Sequence, residues 1–182
     1  MRGWLEGSSS IATQTYISEA MTAALGTEFD RQVSFPITDS DIRRWAVAVY
    51  FPEEPPRLFW DRAYAAGTAY GGIVAPEEFN PFAWMRADPA GLTRGGDPDP
   101  NSTEKMLGIE PPSTRFVLNG GMEDEYGVRM RPGDVITSIS KLGAYHERNG
   151  RLGLMLFTVI ESTWTNQRRQ PVRYRRYTRI RY

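Results

Sequence analysis

The stretch DVITSISKLGAYHERNGRLGLMLFTVIESTW, Asp134 to Trp164, decides the fold. It holds two strand-like runs, Asp134 to His146 and Leu152 to Trp164, and between them the pair Asn149-Gly150. Both residues of that pair tolerate the positive φ of a type I′ turn, so the stretch predicts a long β-hairpin. Upstream, Arg131-Pro132-Gly133 separates the hairpin from a further run, Arg115 to Gly120; downstream, Asn166 to Pro171 separates it from Val172 to Tyr182. Asn119-Gly120-Gly121 reads as a turn or bulge within the same sheet. The last third of the chain is thus an antiparallel meander.

The first part is different in kind. Gln14 to Leu25 carries a loose apolar stripe that Gly26 stops, and Glu28 to Ile37 alternates around Phe29, Val33 and Phe35 as a short strand does. Thr38 or Asp39 is placed to cap a helix over Ser40 to Tyr50, with Asp41 in its first turn and Ile42, Trp45, Ala46 and Val49 on one face. Pro52, Pro55 and Pro56 end it, since proline cannot continue a helix. A short helical turn follows over Trp60 to Ala66, then a glycine-rich stretch with Gly67, Gly71 and Gly72. A second helix is expected over Glu77 to Met85, with Pro76 at its first turn. Arg86 to Pro112 reads as a long loop of the kind that is often functional. The sheet needs a cover for its apolar face, and Glu77 to Met85 is the helix best placed to supply it. The expected architecture is α+β: a curved antiparallel β-sheet wrapped around a central helix, the hot-dog fold.

Bulk composition narrows the chemistry. The 182 residues are 40% apolar and 12% aromatic, enough for a sizeable core. With 22 basic and 22 acidic residues, nothing in the net charge favours nucleic acid or an anionic membrane as partner. There is no cysteine, which excludes disulfides and thiolate chemistry, and His146 is the single histidine. No run approaches the roughly 18 apolar residues of a membrane span, and the start lacks the apolar core of a signal peptide, so a cytoplasmic protein is expected.

Several motifs then resemble one family. Asp41 to Val49, followed by Tyr70-Gly71-Gly72-Ile73-Val74-Ala75-Pro76-Glu77-Glu78-Phe79, is similar to the N-terminal half of MaoC-like dehydratases. Arg131-Pro132-Gly133-Asp134-Val135 looks like the family's "rPGD" strand entry. Gly150-Arg151-Leu152-Gly153 and Thr165-Asn166-Gln167 with Pro171-Val172 resemble its closing hairpins. The likeness spans residues 28–182, a hot-dog domain with an insertion at 86–112, and leaves 1–27 as an N-terminal helical extension. It implies hydration or dehydration of acyl thioesters on CoA or acyl carrier protein, with no cofactor beyond that thioester. In active members an Asp shortly before Asn-Pro-Ile-His, and the His itself, hold the reacting water.

The corresponding segment here is Glu54-Pro55-Pro56-Arg57-Leu58-Phe59-Trp60-Asp61. Phe59 stands where the histidine belongs and Glu54 where the aspartate belongs, and phenylalanine cannot transfer a proton. The resemblance therefore points to the subgroup that pairs with a separate catalytic MaoC-like hot-dog subunit. The acyl channel would draw on Phe59, Tyr70, Gly72, Ala75, Pro76, Phe79, Phe82 and Trp84. The aromatic spacing from Phe79 to Trp84 is also that of an ordinary buried helix.

Glu54 and His146 are the remaining acid/base candidates. Simpler readings are a solvated proline-loop carboxylate for Glu54 and a wet turn residue for His146. Asp61 suits a helix cap better than a catalyst. The arginine-rich end, Arg168 to Arg181, is expected to be an edge strand with one solvated face; a second possibility is contact with a CoA phosphate, to which arginine is chemically suited. The sequence thus implies a non-catalytic subunit of a heteromeric enoyl-thioester hydratase/dehydratase. A self-sufficient hydratase with an unusual acid/base, acting as a homodimer, a non-enzymatic acyl-CoA binding module and a hot-dog thioesterase stay open beside it.

Overall fold

The computed structural model describes residues 15–83 and 99–182. Five antiparallel strands form one sheet: β1 (Glu28–Val33), β2 (Val117–Tyr126), β3 (Ile136–Gly150), β4 (Gly153–Asn166) and β5 (Pro171–Arg181), in the spatial order β1-β3-β4-β5-β2. Among the described residues four helices accompany it: α1 (Glu19–Ala23), α2 (Asp39–Tyr50), α3 (Arg62–Ala66) and α4 (Ser102–Leu107), with a 3₁₀ turn at Arg57–Phe59. This is the expected curved antiparallel sheet of a hot-dog fold. Among the described residues no helix is long and apolar enough to cross a membrane.

Among the described residues the helix packed over the sheet is α2. Thr38 and Asp41 form a capping box: Thr38 Oγ1 accepts from the Asp41 amide at 3.2 Å, and Asp41 Oδ2 accepts from the Thr38 amide at 2.9 Å. Such a cap stabilises a helix start by about 1 kcal/mol. Ile42 and Ala46 are fully buried in one cluster with Phe79, Ile136, Trp164 and Val172. A second cluster, Met21, Leu142, Tyr145 and Leu156, fills the other end beneath α1, with Leu107 of α4 packed against it.

The segment Glu77 to Ala83, expected as the covering helix, consists of turns. Pro81 has no amide to donate and restricts Asn80 before it, and Asn80 Oδ1 takes the Phe82 amide at 3.0 Å as an Asx turn. Trp84, Met85 and the loop residues 86–98 lie outside the described residues, as do 1–14. The rest of the expected loop is not wholly irregular, because Ser102–Leu107 is helical and ends on Gly108 at φ 70°. The first helix is also shorter than its stripe suggested, since Ser18 caps it, accepting from the Met21 amide.

Two glycine features set the sheet's register. Gly143 is a bulge: Leu142 pairs with Ile160, but Ala144 with Val159 and Tyr145 with Thr158. Leu142 and Tyr145 therefore share the covered face although three residues apart. The hairpin turn is Arg151-Leu152 rather than Asn149-Gly150. Asn149 pairs with Leu154 and Gly150 with Gly153, and it is Gly153 that takes the positive φ, 90°. Gly150 instead makes room across the strands, where a Cβ would meet Met155 Cε at 2.5 Å.

Strand β5 lies between β4 and β2 and is not an edge. Register places Arg173, Arg175, Arg179 and Arg181 opposite Trp164, Ser162, Thr158 and Leu156, on the covered face. A solvated arginine face was expected; the strand buries it instead, because each guanidinium finds partners there.

Candidate functional site

The segment Glu54 to Asp61, set against the catalytic signature by resemblance, is built as a scaffold. Phe59 is 6% exposed and sits in the main core cluster, its ring 6.0 Å from that of Tyr50. Asp61 caps α3, accepting from the Tyr64 amide at 3.0 Å, and forms an ion pair with Arg57 at 2.6 Å. The Tyr64 amide first, and the Arg57 guanidinium after it, hold its carboxyl below the ordinary aspartate value. Glu54 is exposed beside Arg43 and Trp60 in a small cleft of about 160 Å³.

His146 is elsewhere. It lies on the uncovered face of β3, opposite Phe157, in a groove of about 660 Å³ shared with Arg176, Thr178 and Glu123. Its strand runs on to Gly150, so His146 is within the sheet rather than at the hairpin tip. Glu54 and His146 border different clefts and do not form a pair. Among the described residues no group of three or more His, Asp or Glu is placed to hold a metal ion.

The residues expected along an acyl channel divide into two sets. Phe59, Ala75, Pro76 and Phe79 are buried, Phe79 edge-on to Trp45 with ring centroids 5.7 Å apart. Phe82 is half-buried, edge-on to Trp164 at 5.0 Å. Tyr70, 39% exposed, and the half-buried Gly72 are at the surface, and Trp84 lies outside the described residues. Arg129 ties this segment to the sheet, donating to the Ala75 carbonyl through Nε at 3.1 Å and Nη2 at 2.7 Å. The Arg131-Pro132-Gly133-Asp134 motif is a docking turn. Buried Asp134 accepts from the Arg131 amide at 2.9 Å, and the Gly133 amide donates to the Ile37 carbonyl at 2.7 Å, just before α2.

Two polar centres have no counterpart in the sequence reading. Arg173 is buried between Trp164 and Tyr126, 4.4 and 5.1 Å from their ring centres, and donates to the backbone carbonyl of Glu77. Burial, reinforced by Arg175 beside it, lowers its pKa. At the other end, Arg181 reaches Glu104 of α4 at 2.7 Å and Thr158 Oγ1 at 2.7 Å, while the Tyr145 hydroxyl donates to Glu104 at 2.6 Å. Alternation of arginine with tyrosine along 173–181 was a visible signal for both, but only the strand's central position gives it that meaning.

Residues 23–175 match the sequence profile of the family described as FAS1-like, dehydratase domain region. No curated protein matches the chain in sequence. Among solved structures the chain is similar to the ChsH1-ChsH2 complex of Mycobacterium tuberculosis, with a TM-score of 0.63 at 16% identity over 90% of this chain and 94% of that one. It is similar also to the HadBC (3R-hydroxyacyl-ACP dehydratase) complex of the same organism, with a TM-score of 0.54 at 16% identity over 86% and 99%. A MaoC-like dehydratase of Rhodospirillum rubrum gives a TM-score of 0.51 at 17% identity over 84% and 90%. At such identities the structures speak for the fold, and the profile, which covers most of the chain, speaks for descent. The chain belongs to the family described as FAS1-like, dehydratase domain region, and shares the hot-dog fold of the MaoC-like dehydratases.

Proposed function

We propose that this chain is the non-catalytic subunit of a heteromeric enoyl-thioester hydratase/dehydratase, paired with a hot-dog subunit that supplies the Asp and His. The observation that supports this reading is Phe59: the resemblance sets it against the signature histidine, and it is a core residue without a proton to give. Around it Asp61 is committed to a cap, and Glu54 points away into an open cleft without His146.

Pairing has a surface. The two sheet edges differ in length: β1 is six residues, whereas β2 is ten, with exposed Leu118, Met122 and Tyr126 beside the acids Glu123, Asp124 and Glu125. The longer edge offers more unpaired backbone donors and acceptors to a second sheet. The two neighbours described as complexes, ChsH1-ChsH2 and HadBC, support a heteromeric arrangement. In this reading Tyr70, Gly72 and Phe82 border the acyl channel, and Phe59, Ala75, Pro76 and Phe79 back its wall. Substrate is an acyl thioester of CoA or acyl carrier protein, with no further cofactor, and the setting is lipid metabolism in the cytoplasm.

The test is hydration of a medium-chain and a bulky enoyl-CoA by the chain alone and with a hot-dog subunit bearing the Asp and His. Turnover by the mixture above that of either component supports the reading. Full turnover by this chain alone overturns it and makes Glu54→Gln and His146→Ala the next variants.

A further inference from the structure

The covered-face arginines of β5 are already committed to partners within the chain. Arg173 and Arg181 are buried with other partners, and Arg175 is held by Asp124 at 2.7 Å. A cleft of about 630 Å³ instead gathers Arg129 and Arg131, from the loop after β2, with Arg168, from the turn before β5, around Tyr70. That volume is in the range of small-molecule sites, roughly 300–1,000 Å³.

Charge in this cleft is unevenly cancelled. Glu77 neutralises Arg129 at 3.0 Å, and buried Asp134 lies 3.2 Å from Arg168. Arg131 donates through Nη2 to the Tyr70 carbonyl at 2.7 Å and, among the described residues, pairs with no carboxylate. A guanidinium has five N–H donors, so Arg131 keeps donors for an incoming anion. Tyr70 adds an exposed ring, with the Arg129 guanidinium 5.7 Å from its centre. An aromatic face beside arginines stacks a base while the cations hold phosphate. The cleft also adjoins the proposed channel directly, because Arg131 lies 3.8 Å from where a Cβ on Gly72 would stand, and Arg129 holds Ala75.

We propose that this cleft binds the 3′-phosphoadenosine end of a coenzyme A thioester, with Arg131 and Arg168 on phosphate and Tyr70 on the base. This rests on the reading of the chain as a thioester-binding subunit, and it selects the nucleotide carrier over a carrier protein. Attraction of this kind is partly screened by salt, so affinity falls as ionic strength rises.

The experiment is calorimetric titration of the full chain with adenosine 3′,5′-bisphosphate, which has neither acyl group nor thioester. Saturable binding that free CoA competes away, and that Arg131→Gln weakens at least tenfold, is expected. Because Arg131 also holds the Tyr70 carbonyl, a second variant, Val128→Glu, puts a negative charge at the exposed cleft wall without removing a hydrogen bond and is expected to weaken binding to the same extent. Absence of saturable binding, or binding that neither variant weakens, overturns the proposal. Equal affinity for phosphopantetheine, which carries phosphate and no base, overturns it too and points to a carrier protein. None of these outcomes depends on turnover: a catalytically silent mixture that still binds the bisphosphate at this cleft counts against the hydratase reading and not against the site.

Discussion

Glu104 and Arg181 form a two-pronged ion pair sealed from solvent on both sides. Nη2 meets Oε1 at 2.7 Å, Nη1 meets Oε2 at 2.8 Å, and both side chains are fully buried. The pair joins the short helix α4 to the end of the last strand, 77 residues apart in sequence. Removing water from two charges costs several kcal/mol each, which only good geometry and further hydrogen bonds offset. Those are present: Tyr145 and Thr158 at their respective partners, and the Pro100 carbonyl on Arg181 Nη1 at 3.0 Å. Truncating one partner leaves the other charge buried alone. Glu104→Gln and Arg181→Leu are therefore each expected to cost about 3–5 kcal/mol in urea unfolding. The double variant Glu104→Gln with Arg181→Leu is expected to cost less than their sum, because it leaves no orphaned charge.

The same pair makes a pH prediction. Burial opposes the charged form of Glu104, but the hydrogen bonds from Arg181 and Tyr145 outweigh it, so its pKa lies below the ordinary value of 4.5. A carboxyl lowered in the folded state contributes stability that is full above its unfolded pKa and is lost as pH falls through the folded one. The stability gap between the native chain and Glu104→Gln is thus expected to be constant near neutrality and to narrow below about pH 4.5, followed by melting at successive pH values. A gap that widens on acidification contradicts this assignment.

How far this was legible in the sequence depends on the range of the interaction concerned. The capping box at Thr38 and Asp41, strands β3, β4 and β5 and the bulge at Gly120-Gly121 are local, and their residues carry the signal themselves, whereas β2 runs through that bulge to Tyr126, beyond its expected end at Gly120. Whether an arginine row faces solvent or core is not local. It is decided by β2 returning to the far side of β5, which makes the strand central. Helix α4 shows the same limit, since its Glu104 is buried by a strand end that no nearby residue announces. Over Glu77 to Ala83, the described part of the expected second helix, turns replace it for a reason that was written in the chain: Pro81 lies inside it. At the candidate site, Phe59 was set against a histidine by resemblance alone, and the gathering of Arg129, Arg131 and Arg168 around Tyr70 required the fold.

Gly127 is fixed by close approach rather than by its dihedral angles. A Cβ there would stand 2.1 Å from the Pro171 carbonyl oxygen, in the crossing where the Gly127 and Val128 amides donate to Val172 and Pro171. Backbone cannot yield as a flexible side chain does. Gly127→Ala is expected to destabilise the chain by about 1–3 kcal/mol, the usual cost of forced overpacking. Gly71→Ala, with open space around its Cβ but φ at 66°, is expected to cost about 1 kcal/mol from conformation alone. Thermal unfolding of the two variants separates these causes.

The open edge of β2 gives the most direct test of pairing. Register places Met122 beside Tyr177 at the bulge and Leu118 beside Ile180, so the two side chains fall on opposite faces of the same edge strand. Met122 is 52% exposed and Leu118 nearly as much, so neither holds up the core. Exposed substitutions of this kind usually change stability by no more than about 0.5 kcal/mol. Lysine on an edge strand blocks a second strand from adding, because its charge must stay solvated. Leu118→Lys combined with Met122→Lys is therefore expected to leave the melting temperature of the isolated chain nearly unchanged. It is also expected to weaken association with the catalytic subunit at least tenfold, measured by sedimentation or light scattering of the mixture. Loss of turnover in the mixture should follow loss of association and recover at high subunit concentration, because the variant leaves the channel residues in place. If the mixture assembles normally with both lysines, pairing runs through another surface, and the charged β1 edge or the groove around His146 becomes the place to look.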